Sequence, residues 1–190
     1  MKALIRYFFG WYFEQFRPDF VVNTICDVNP LDYRFSDIKA LISDADNTLL
    51  GGGETEVKET IREYLLRLAL PTVIVSNVIH RTEKRLDRLA NIAKQVNAVG
   101  FLALGFWQQK PSPLGVEDAI SRLHIPPENV AVVGDLLTTD ILAAKRTRAN
   151  SRLGRGPLAI WTRIPIGHQE RHIRYLRRPF ERLIVWVLEI

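Results

Sequence analysis

Short apolar runs rich in Val, Ile and Leu alternate along the chain with longer segments that carry apolar residues every three or four positions. This alternation predicts parallel strands joined by crossover helices, because a tight turn cannot connect parallel neighbours. We expect strands at residues 39–43, 71–76, 97–102, 130–134 and 157–161, and helices at 56–68, 81–94, 113–124 and 138–147. The predicted fold class is therefore α/β, a Rossmann-like three-layer sandwich around a central parallel sheet of about five strands.

The composition is that of one folded unit. The 190 residues are 47% apolar and contain neither a repeat nor a long low-complexity stretch, so they can bury a single core. We divide the chain into an aromatic-rich N-terminal segment at 1–30, the α/β domain at 31–165 and a basic amphipathic C-terminal helix at 166–190. The one cysteine, Cys26, cannot form an internal disulfide, and no uncharged run is long enough to span a bilayer, which favours a cytoplasmic location.

Two carboxylates and a hydroxyl stand where the first predicted strand gives way to a loop, in the sequence Asp44-Ala45-Asp46-Asn47-Thr48. Side chains two positions apart on a strand point to the same face, so Asp44 and Asp46 should emerge together. Such a pair can share a metal ion and a substrate phosphorus, although aspartates beside a turn can also serve only to bond its amides. The motif alone therefore predicts either a phosphate-transfer site or an ordinary turn.

Three later strands also lead into polar residues suited to phosphate chemistry. Ser76 and Asn77 end the second strand, Lys110 follows the third in Lys-Pro-Ser-Pro, and Asp135 ends the fourth with Asp140 five residues beyond. Hydroxyl and amide groups can bind phosphate oxygens, a lysine can neutralise developing charge, and acidic residues can hold Mg²⁺. Each has an ordinary structural explanation by itself, as a turn, a solvated lysine or a strand end. Their joint placement favours a catalytic site, because strand ends meet at one edge of a parallel sheet.

The four segments Asp-Ala-Asp-Asn-Thr, Ser-Asn, Lys-Pro-Ser-Pro and Gly-Asp-Leu-Leu-Thr-Thr-Asp resemble the four motifs of the haloacid dehalogenase superfamily of phosphatases, over about residues 35–165. The resemblance implies that Asp44 is the nucleophile that forms an aspartyl-phosphate and that Asp46 is the general acid, which afterwards activates water. It also implies that Ser76 binds the transferring phosphoryl group and that Lys110 neutralises its charge.

The same resemblance implies a Mg²⁺ site and a phosphate-binding surface. The metal would be held by Asp44, the backbone carbonyl of Asp46 and Asp135, with Asp140 either as a further ligand or as a partner of the ligands. Thr48 would brace the loop of the first motif. The residues implied in substrate binding are Thr48, Ser76, Asn77 and Lys110.

A nearer resemblance is to the small YqeG-type phosphatases and their mitochondrial relatives that act on phosphatidylglycerophosphate. It rests on the lead-in Arg-Pro-Asp at 17–19 with the run at 26–30, on Asn47 in the first motif, and on the run at 134–140. The chain departs from the pattern in the glycine run at 51–53 and at Val78, which follows Ser-Asn where another polar residue is expected. The resemblance implies a lipid phosphate as the substrate.

The spacing of the motifs leaves no room for a cap domain. Only 32 positions separate Asp44 from Ser76 and 34 separate Ser76 from Lys110, and each interval is filled by a loop, a helix and a strand. An open site suits a phosphate presented on a large body, such as a lipid head group, a phosphoprotein or the end of a nucleic acid. Near the second motif, Arg81 and Arg85 could contact a second anionic group of the substrate or form an ordinary solvated helix turn.

Both ends of the chain carry features of membrane-contacting helices. Eight of the 18 aromatic residues lie in the first 20 positions, and five arginines precede an apolar run at 183–188: Arg171, Arg174, Arg177, Arg178 and Arg182. Residues 145–182 hold 11 Lys and Arg against two acids, so their local charge is +9 in a chain of net charge +5. Such segments can anchor a protein on anionic lipid, or they can pack on the domain or on each other.

Together the motifs and the termini lead to one expectation. We expect a Mg²⁺-dependent phosphomonoesterase that forms an aspartyl-phosphate and converts phosphatidylglycerophosphate to phosphatidylglycerol in phospholipid biosynthesis, peripherally bound to a membrane on its cytoplasmic side. Its expected partners are an anionic phospholipid surface and the lipid phosphate, and the sequence contains no nucleic-acid-binding motif. The alternatives are a soluble phosphatase for a sugar, nucleotide or protein phosphate, and a membrane or RNA adaptor without catalytic activity.

Overall fold

The computed structural model describes residues 2–78, 82–151, 154–167 and 177–190, which form one six-stranded sheet flanked by helices. The strands are β1 (Phe20–Val22), β2 (Ala40–Ser43), β3 (Thr72–Asn77), β4 (Gly100–Leu104), β5 (Val130–Gly134) and β6 (Leu158–Thr162). They lie in the order β1-β6-β5-β2-β3-β4, and every neighbouring pair is parallel. The chain leaves β2 toward β3 and β4 on one side and returns to β5 on the other. An open α/β sheet forms its binding crevice at such a reversal.

Six α-helices accompany the strands in the described parts of the chain: α1 (Lys2–Glu14), α2 (Glu59–Leu68), α3 (Glu83–Gln95), α4 (Leu114–Leu123), α5 (Leu142–Asn150) and α6 (Arg178–Leu188). The helices α2 to α5 correspond to the four predicted ones, with limits that differ by a few residues. The segment predicted at 138–147 begins with one π-helical turn, Leu137–Ile141, before α5. Single π-helical turns are frequent at functional sites, and this one carries Asp140.

The α/β, Rossmann-like class and the absence of a cap domain are confirmed, but the sheet has one strand more than the predicted five. In the described residues, α2 is the only helix between β2 and β3, and α3 is the only one between β3 and β4. The additional strand is β1, which pairs with β6 at the edge of the sheet. Three residues within an aromatic segment are too few to show the two-residue alternation of a strand, so the sequence pattern does not reveal it.

Asp19 anchors β1 to the rest of the fold. Its carboxylate accepts hydrogen bonds from Lys145 Nζ at 2.6 Å, Arg148 Nη2 at 2.6 Å and the backbone N–H of Ala159 at 2.8 Å. These donors lie on α5 and β6, so one side chain ties the edge strand to a helix and to its neighbouring strand. Burial would raise the pKa of Asp19, but the hydrogen bonds from Arg148, Ala159 and Lys145 outweigh it and hold the pKa below its ordinary value.

Hydrophobic cores lie on both faces of the sheet, as expected for parallel strands. Successive strand residues alternate between them: Ile42 of β2 belongs to the core beneath α1, α4, α5 and α6, whereas Leu41 belongs to the core beneath α2 and α3. The sheet with a helical layer on each face gives the predicted three layers. Both faces are therefore covered, and polar chemistry is left to the carboxyl ends of the strands.

The two ends of the chain pack against each other. The rings of Phe16 and Phe180 lie 6.1 Å apart, and the Arg17 side chain donates a hydrogen bond to the Leu188 carbonyl at 3.2 Å. The other side of α1 stays open to solvent, where Trp11 is 78% exposed. Packing of the termini on the domain is therefore observed, and membrane contact through their exposed side chains stays a prediction.

The predicted domain limits after residues 30 and 165 stay predictions, although β1 brings part of the first segment into the sheet. The described part of the predicted C-terminal helix is α6, while Arg171 and Arg174 fall outside the described residues. No helix within the described ranges has both the length and the apolar character that crossing a bilayer would require.

Candidate active site

The predicted catalytic residues meet at the carboxyl ends of the central strands. Asp44 directly follows β2, Ser76 lies near the end of β3, and Asp135 directly follows β5. The backbone N–H of Asp44 donates to the Val133 carbonyl at 2.9 Å, which continues the pairing of β2 with β5. A cavity of about 290 Å³ opens at this point, and seven predicted site residues line it: Asp44, Asp46, Ser76, Asn77, Lys110, Asp135 and Asp140. The topology thus brings together motifs that are far apart in the sequence.

Lys110 is a buried cation in this cavity. Its Nζ lies 2.5 Å from Asp44 Oδ1 and 2.6 Å from Asp140 Oδ1, and it donates a hydrogen bond to the Val75 carbonyl at 2.8 Å. Burial alone would lower the pKa of Lys110, but the charges of Asp140 and Asp44 outweigh it and raise the pKa above its ordinary value. The lysine therefore stays charged beside the predicted nucleophile, as neutralisation of a phosphoryl group requires.

Asn77 holds the backbone of Lys110. Its side-chain Nδ2 donates to the Lys110 carbonyl at 3.1 Å, and its Oδ1 accepts from the Lys110 N–H at 2.8 Å. The amide of Asn77 thus connects the end of β3 to the Lys-Pro-Ser-Pro loop. Ser76 lines the cavity and is 5% exposed. The roles of both residues in substrate binding stay predictions, and the contacts of Asn77 show that it also positions the loop that carries Lys110.

Three carboxylates form a group that a divalent cation would fit. One oxygen atom from each of Asp44, Asp135 and Asp140 lies within 4.8 Å of the others. Burial, opposed by Lys110 and reinforced by Asp140, raises the pKa of Asp44 to about 7. Burial and the charges of Asp140 and Asp44 likewise raise the pKa of Asp135 well above its ordinary value. Carboxylate oxygens crowded in this way are suitable ligands for Mg²⁺, so the residues present fit the implied ion.

The Asp46 carboxylate stands outside this group and pairs with an arginine that the sequence pattern does not single out. Arg88 of α3 contacts Asp46 Oδ1 at 2.6 Å and Oδ2 at 3.4 Å, and its Nε donates to the Glu54 carbonyl at 2.6 Å. The N–H of Gly53 donates to Asp46 Oδ1 at 3.4 Å. These contacts hold the predicted general acid at the cavity wall, beside the glycine run. The predicted use of its backbone carbonyl as a metal ligand stays a prediction.

The loop of the first motif contains a residue in the left-handed conformation. Asn47 has a φ of 64°, which asparagine tolerates better than most residues, and its N–H donates to the Leu50 carbonyl at 2.7 Å. The carbonyl of Asn47 accepts from the N–H of Ile166 at 2.9 Å. Thr48 is 1% exposed and is not among the residues that line the cavity. The buried Thr48 hydroxyl has no hydrogen-bond partner within the described residues, so its bracing of the loop and its contact with substrate both stay predictions.

Arginines lie at the mouth of the cavity. Arg85 and Arg88 come from α3, and Arg177 directly precedes α6. Glycines from the run at 51–53 line the same opening. Arg81, which the sequence also suggested for a second anionic group, falls outside the described residues. Arg88 already pairs with Asp46, so the exposed Arg85 and Arg177 are the cations that the described part of the mouth offers to an anionic substrate.

Two further charged residues reach the site from α6, and the sequence pattern does not predict either. Arg178 Nη2 lies 2.5 Å from Asp135 Oδ2, and its Nη1 lies 3.0 Å from Glu181 Oε2. Burial raises the pKa of Glu181 against the opposing effect of Arg178. The contacts link four acids with two cations, so full ionisation of the acids would leave an excess of two negative charges, which one Mg²⁺ would balance: Asp44, Asp135, Asp140 and Glu181 with Lys110 and Arg178.

Comparison with known proteins finds similarity to phosphatases. The protein named probable phosphatase YqeG from Bacillus subtilis (strain 168) is 22% identical over 174 residues, which cover 92% of each chain. Among solved structures, the p-nitrophenyl phosphatase from Archaeoglobus fulgidus is 14% identical, and its match covers 87% of this chain and 71% of that one. Its TM-score of 0.24 is too low to carry an argument about the fold.

The family comparison covers all four motifs. A family model described as mitochondrial PGP phosphatase matches residues 12–159, which is well over half of the chain. The matched range includes Asp44, Ser76, Lys110 and Asp135, the residues that meet in the cavity. The chain therefore belongs to the mitochondrial PGP phosphatase family and is a phosphatase of the haloacid dehalogenase type.

Proposed function

We propose that this phosphatase is Mg²⁺-dependent, forms an aspartyl-phosphate on Asp44 and converts phosphatidylglycerophosphate to phosphatidylglycerol at a membrane surface. The observation that carries the chemistry is the contact between Lys110 and Asp44 beside the three-carboxylate group. A buried lysine and a cation site on the same carboxylate would hold a phosphoryl group in front of the attacking oxygen. The description of the family model supports the choice of substrate.

The reaction would take place as two displacements at phosphorus. A carboxylate oxygen of Asp44 attacks the terminal phosphorus, the bond from phosphorus to the glycerol oxygen breaks, and Asp46 gives its proton to that oxygen. The ionised Asp46 then takes a proton from water, whose oxygen attacks the same phosphorus, and the bond to Asp44 breaks to release inorganic phosphate. Because Arg88 pairs with Asp46 in the structure, that contact must loosen when Asp46 carries a proton.

The remaining residues would bind the phosphoryl group and the metal ion. Ser76 and Lys110 would contact the phosphoryl oxygens, and Asp44, Asp135 and Asp140 would supply the carboxylate ligands. When bound, Mg²⁺ neutralises phosphoryl oxygens and so reduces their repulsion of the attacking carboxylate. The excess of negative charge that the site residues would carry when they are all ionised supports this need for a divalent cation.

The surroundings of the cavity fit a substrate that carries a second anion and lies in a membrane. Phosphatidylglycerophosphate has a phosphodiester besides its terminal phosphate, and Arg85 and Arg177 lie at the mouth through which such a group would extend. Exposed apolar and aromatic side chains of α1 offer a surface for lipid: Leu4, Tyr7, Phe8, Phe9, Trp11 and Tyr12. We therefore propose a peripheral position on the cytoplasmic side of an anionic membrane.

The substrate is tested by phosphate release from phosphatidylglycerophosphate in mixed micelles, compared with p-nitrophenyl phosphate and with soluble sugar and nucleotide phosphates. We expect kcat/KM to be about 100-fold higher on the lipid, because ion pairs with the second anion add to the binding. Removal of Mg²⁺ with EDTA should stop the reaction on every substrate. Higher kcat/KM on a soluble phosphate would contradict the proposed substrate, and release that persists in EDTA would contradict the proposed metal.

The arginines at the mouth provide a matched pair of variants for the same assay. Arg85→Ala should raise KM for the lipid by about tenfold, because an ion pair with the diester is lost. Lys84→Ala removes a neighbouring exposed cation that does not line the cavity, and we expect it to leave that KM unchanged. Equal effects of the two substitutions would show that Arg85 acts only through general surface charge.

A further inference from the structure

The first residue of α6 contacts the proposed metal ligand Asp135 at two points. Arg178 Nη2 lies 2.5 Å from Asp135 Oδ2, and Arg178 Nη1 donates a hydrogen bond to the Asp135 carbonyl at 2.9 Å. The same carbonyl accepts from Trp161 Nε1 at 3.0 Å. Asp135 is 1% exposed, so water competes little for these contacts. Both the side chain and the backbone of Asp135 are therefore held in place.

Glu181, three positions along α6, connects Arg178 to the neighbouring loop. Its Oε2 lies 3.0 Å from Arg178 Nη1, and its Oε1 accepts from the N–H of Thr138 at 3.2 Å and from the Thr138 hydroxyl at 3.3 Å. Thr138 belongs to the π-helical turn Leu137–Ile141, which carries Asp140. Helix α6 thus contacts Asp135 directly and also contacts the turn that carries Asp140.

We propose that Arg178 and Glu181 are positioning residues of the metal site, so that the C-terminal helix completes it. This rests on the proposed function, which assigns Mg²⁺ to Asp44, Asp135 and Asp140. Arg178 takes Oδ2 of Asp135 and leaves Oδ1 for the cation, while Glu181 fixes the turn from which Asp140 reaches Lys110. Both residues lie beyond the range 12–159 that the family model matches, so the matched pattern does not include them.

Packing of α6 alone does not account for this charged pair. The helix is already held by the buried side chains of Ile184, Val187 and Leu188, which belong to the core on that face of the sheet. Burying an ion pair costs desolvation free energy that apolar side chains of similar volume avoid, so such a pair is a poor way to fasten a helix. In contrast, the loss of a contact that orients a metal ligand typically lowers metal affinity or activity by roughly 10- to 100-fold.

The test measures Mg²⁺ affinity of the full chain without any substrate, by thermal unfolding in EDTA and across a Mg²⁺ titration. Arg178→Lys keeps the positive charge but loses the planar guanidinium group, which contacts both the carboxylate and the backbone carbonyl of Asp135. Glu181→Gln keeps the shape but loses the charge that holds Arg178. We expect the dissociation constant for Mg²⁺ to rise by about tenfold or more in each variant. The control is Arg182→Lys, the same substitution at an exposed position of α6, which should bind Mg²⁺ like the parent.

Unchanged Mg²⁺ affinity in the variants would overturn the proposal, even if they unfold at a lower temperature in EDTA, because that result describes a structural role alone. If one variant does not fold, the Mg²⁺ affinity of the other variant tests the proposal. A parent that Mg²⁺ does not stabilise would also overturn it.

The result is separable from that of the substrate assay. If the parent does not hydrolyse the lipid but the variants bind Mg²⁺ more weakly than it does, the positioning pair is supported and the proposed substrate is contradicted. If the parent hydrolyses the lipid but the variants bind Mg²⁺ as tightly as it does, the proposed substrate is supported and the positioning pair is overturned.

Discussion

Replacing Asp44 by Asn should abolish turnover and at the same time stabilise the metal-free protein. Burial, opposed by Lys110 and reinforced by Asp140, raises the pKa of Asp44 from its ordinary value of 3.8 to about 7. At about 1.4 kcal/mol per pH unit, the ionised carboxylate costs roughly 4 kcal/mol of folding free energy above pH 7. Asn is neutral and nearly isosteric and can still accept a hydrogen bond from Lys110, so it removes much of that cost. We expect the free energy of unfolding to rise by about 2 to 4 kcal/mol.

This gain in stability should depend on pH in one direction. A carboxyl group whose pKa is raised by folding binds more protons in the native state than in the unfolded state between about pH 4 and pH 7. Its cost to the parent is therefore absent below that range, increases as the pH rises through it, and is complete above it. The difference in stability between Asp44→Asn and the parent should be largest at pH 8 and clearly smaller at pH 5.

Urea unfolding in EDTA at both pH values measures the stability, and phosphate release with Mg²⁺ measures turnover. We expect Asp44→Asn to lower turnover by about 10⁴-fold or more, because the covalent bond to phosphorus cannot form. A variant less stable than the parent in EDTA at pH 8 would refute the reasoning about crowded carboxylates. A variant that keeps full turnover would refute the assignment of the nucleophile.

Two further predictions concern the edge strand and the N-terminal helix. Asp19→Asn should lower the free energy of unfolding at pH 7 by about 2 kcal/mol, because Arg148 and Lys145 lose a charged partner. Since folding lowers the pKa of Asp19, this loss should shrink as the pH falls below about 4, and an unchanged urea midpoint at pH 7 would contradict it. Trp11→Ala should weaken co-sedimentation with anionic vesicles by about tenfold, because Trp11 is 78% exposed on α1. Tyr33→Ala, at an 86% exposed position outside α1, is the control, and equal binding by both variants and the parent would contradict membrane contact through α1.

The strands that can be predicted from the sequence are those with apolar residues that are buried on both faces. The predicted limits of β5 agree with the structure because all five of its residues are buried. Strand β4 begins at Gly100 and not at the predicted residue 97, because Asn97 adopts the left-handed conformation with a φ of 51°. Strand β1 depends on the hydrogen bonds of Asp19 to distant segments, which no local pattern reveals.

The site residues that can be predicted lie in motifs at strand ends, because a parallel sheet itself brings those ends together. Arg88, Arg178 and Glu181 come from helices, and in the sequence each resembles a charged residue on a solvated helix face. Arg178 lies 43 positions from Asp135, and nothing in the sequence distinguishes it from the exposed Arg177 beside it. Their contacts depend on how α3 and α6 pack beside the cavity, which is a property of the tertiary structure.

The central claim is a Mg²⁺-dependent aspartyl-phosphate on Asp44, and trapping that intermediate tests it most directly. The protein is mixed with a substrate radiolabelled in its terminal phosphate and quenched in acid during turnover, and the sample is then divided. One portion is counted for protein-bound label, and the other is reduced with borohydride, which converts a phosphorylated aspartate to homoserine and releases its phosphate. We predict protein-bound label and homoserine at position 44 in the presence of Mg²⁺, and neither of them in EDTA or in Asp44→Asn. Homoserine at position 46, or turnover without any protein-bound label, would contradict the claim.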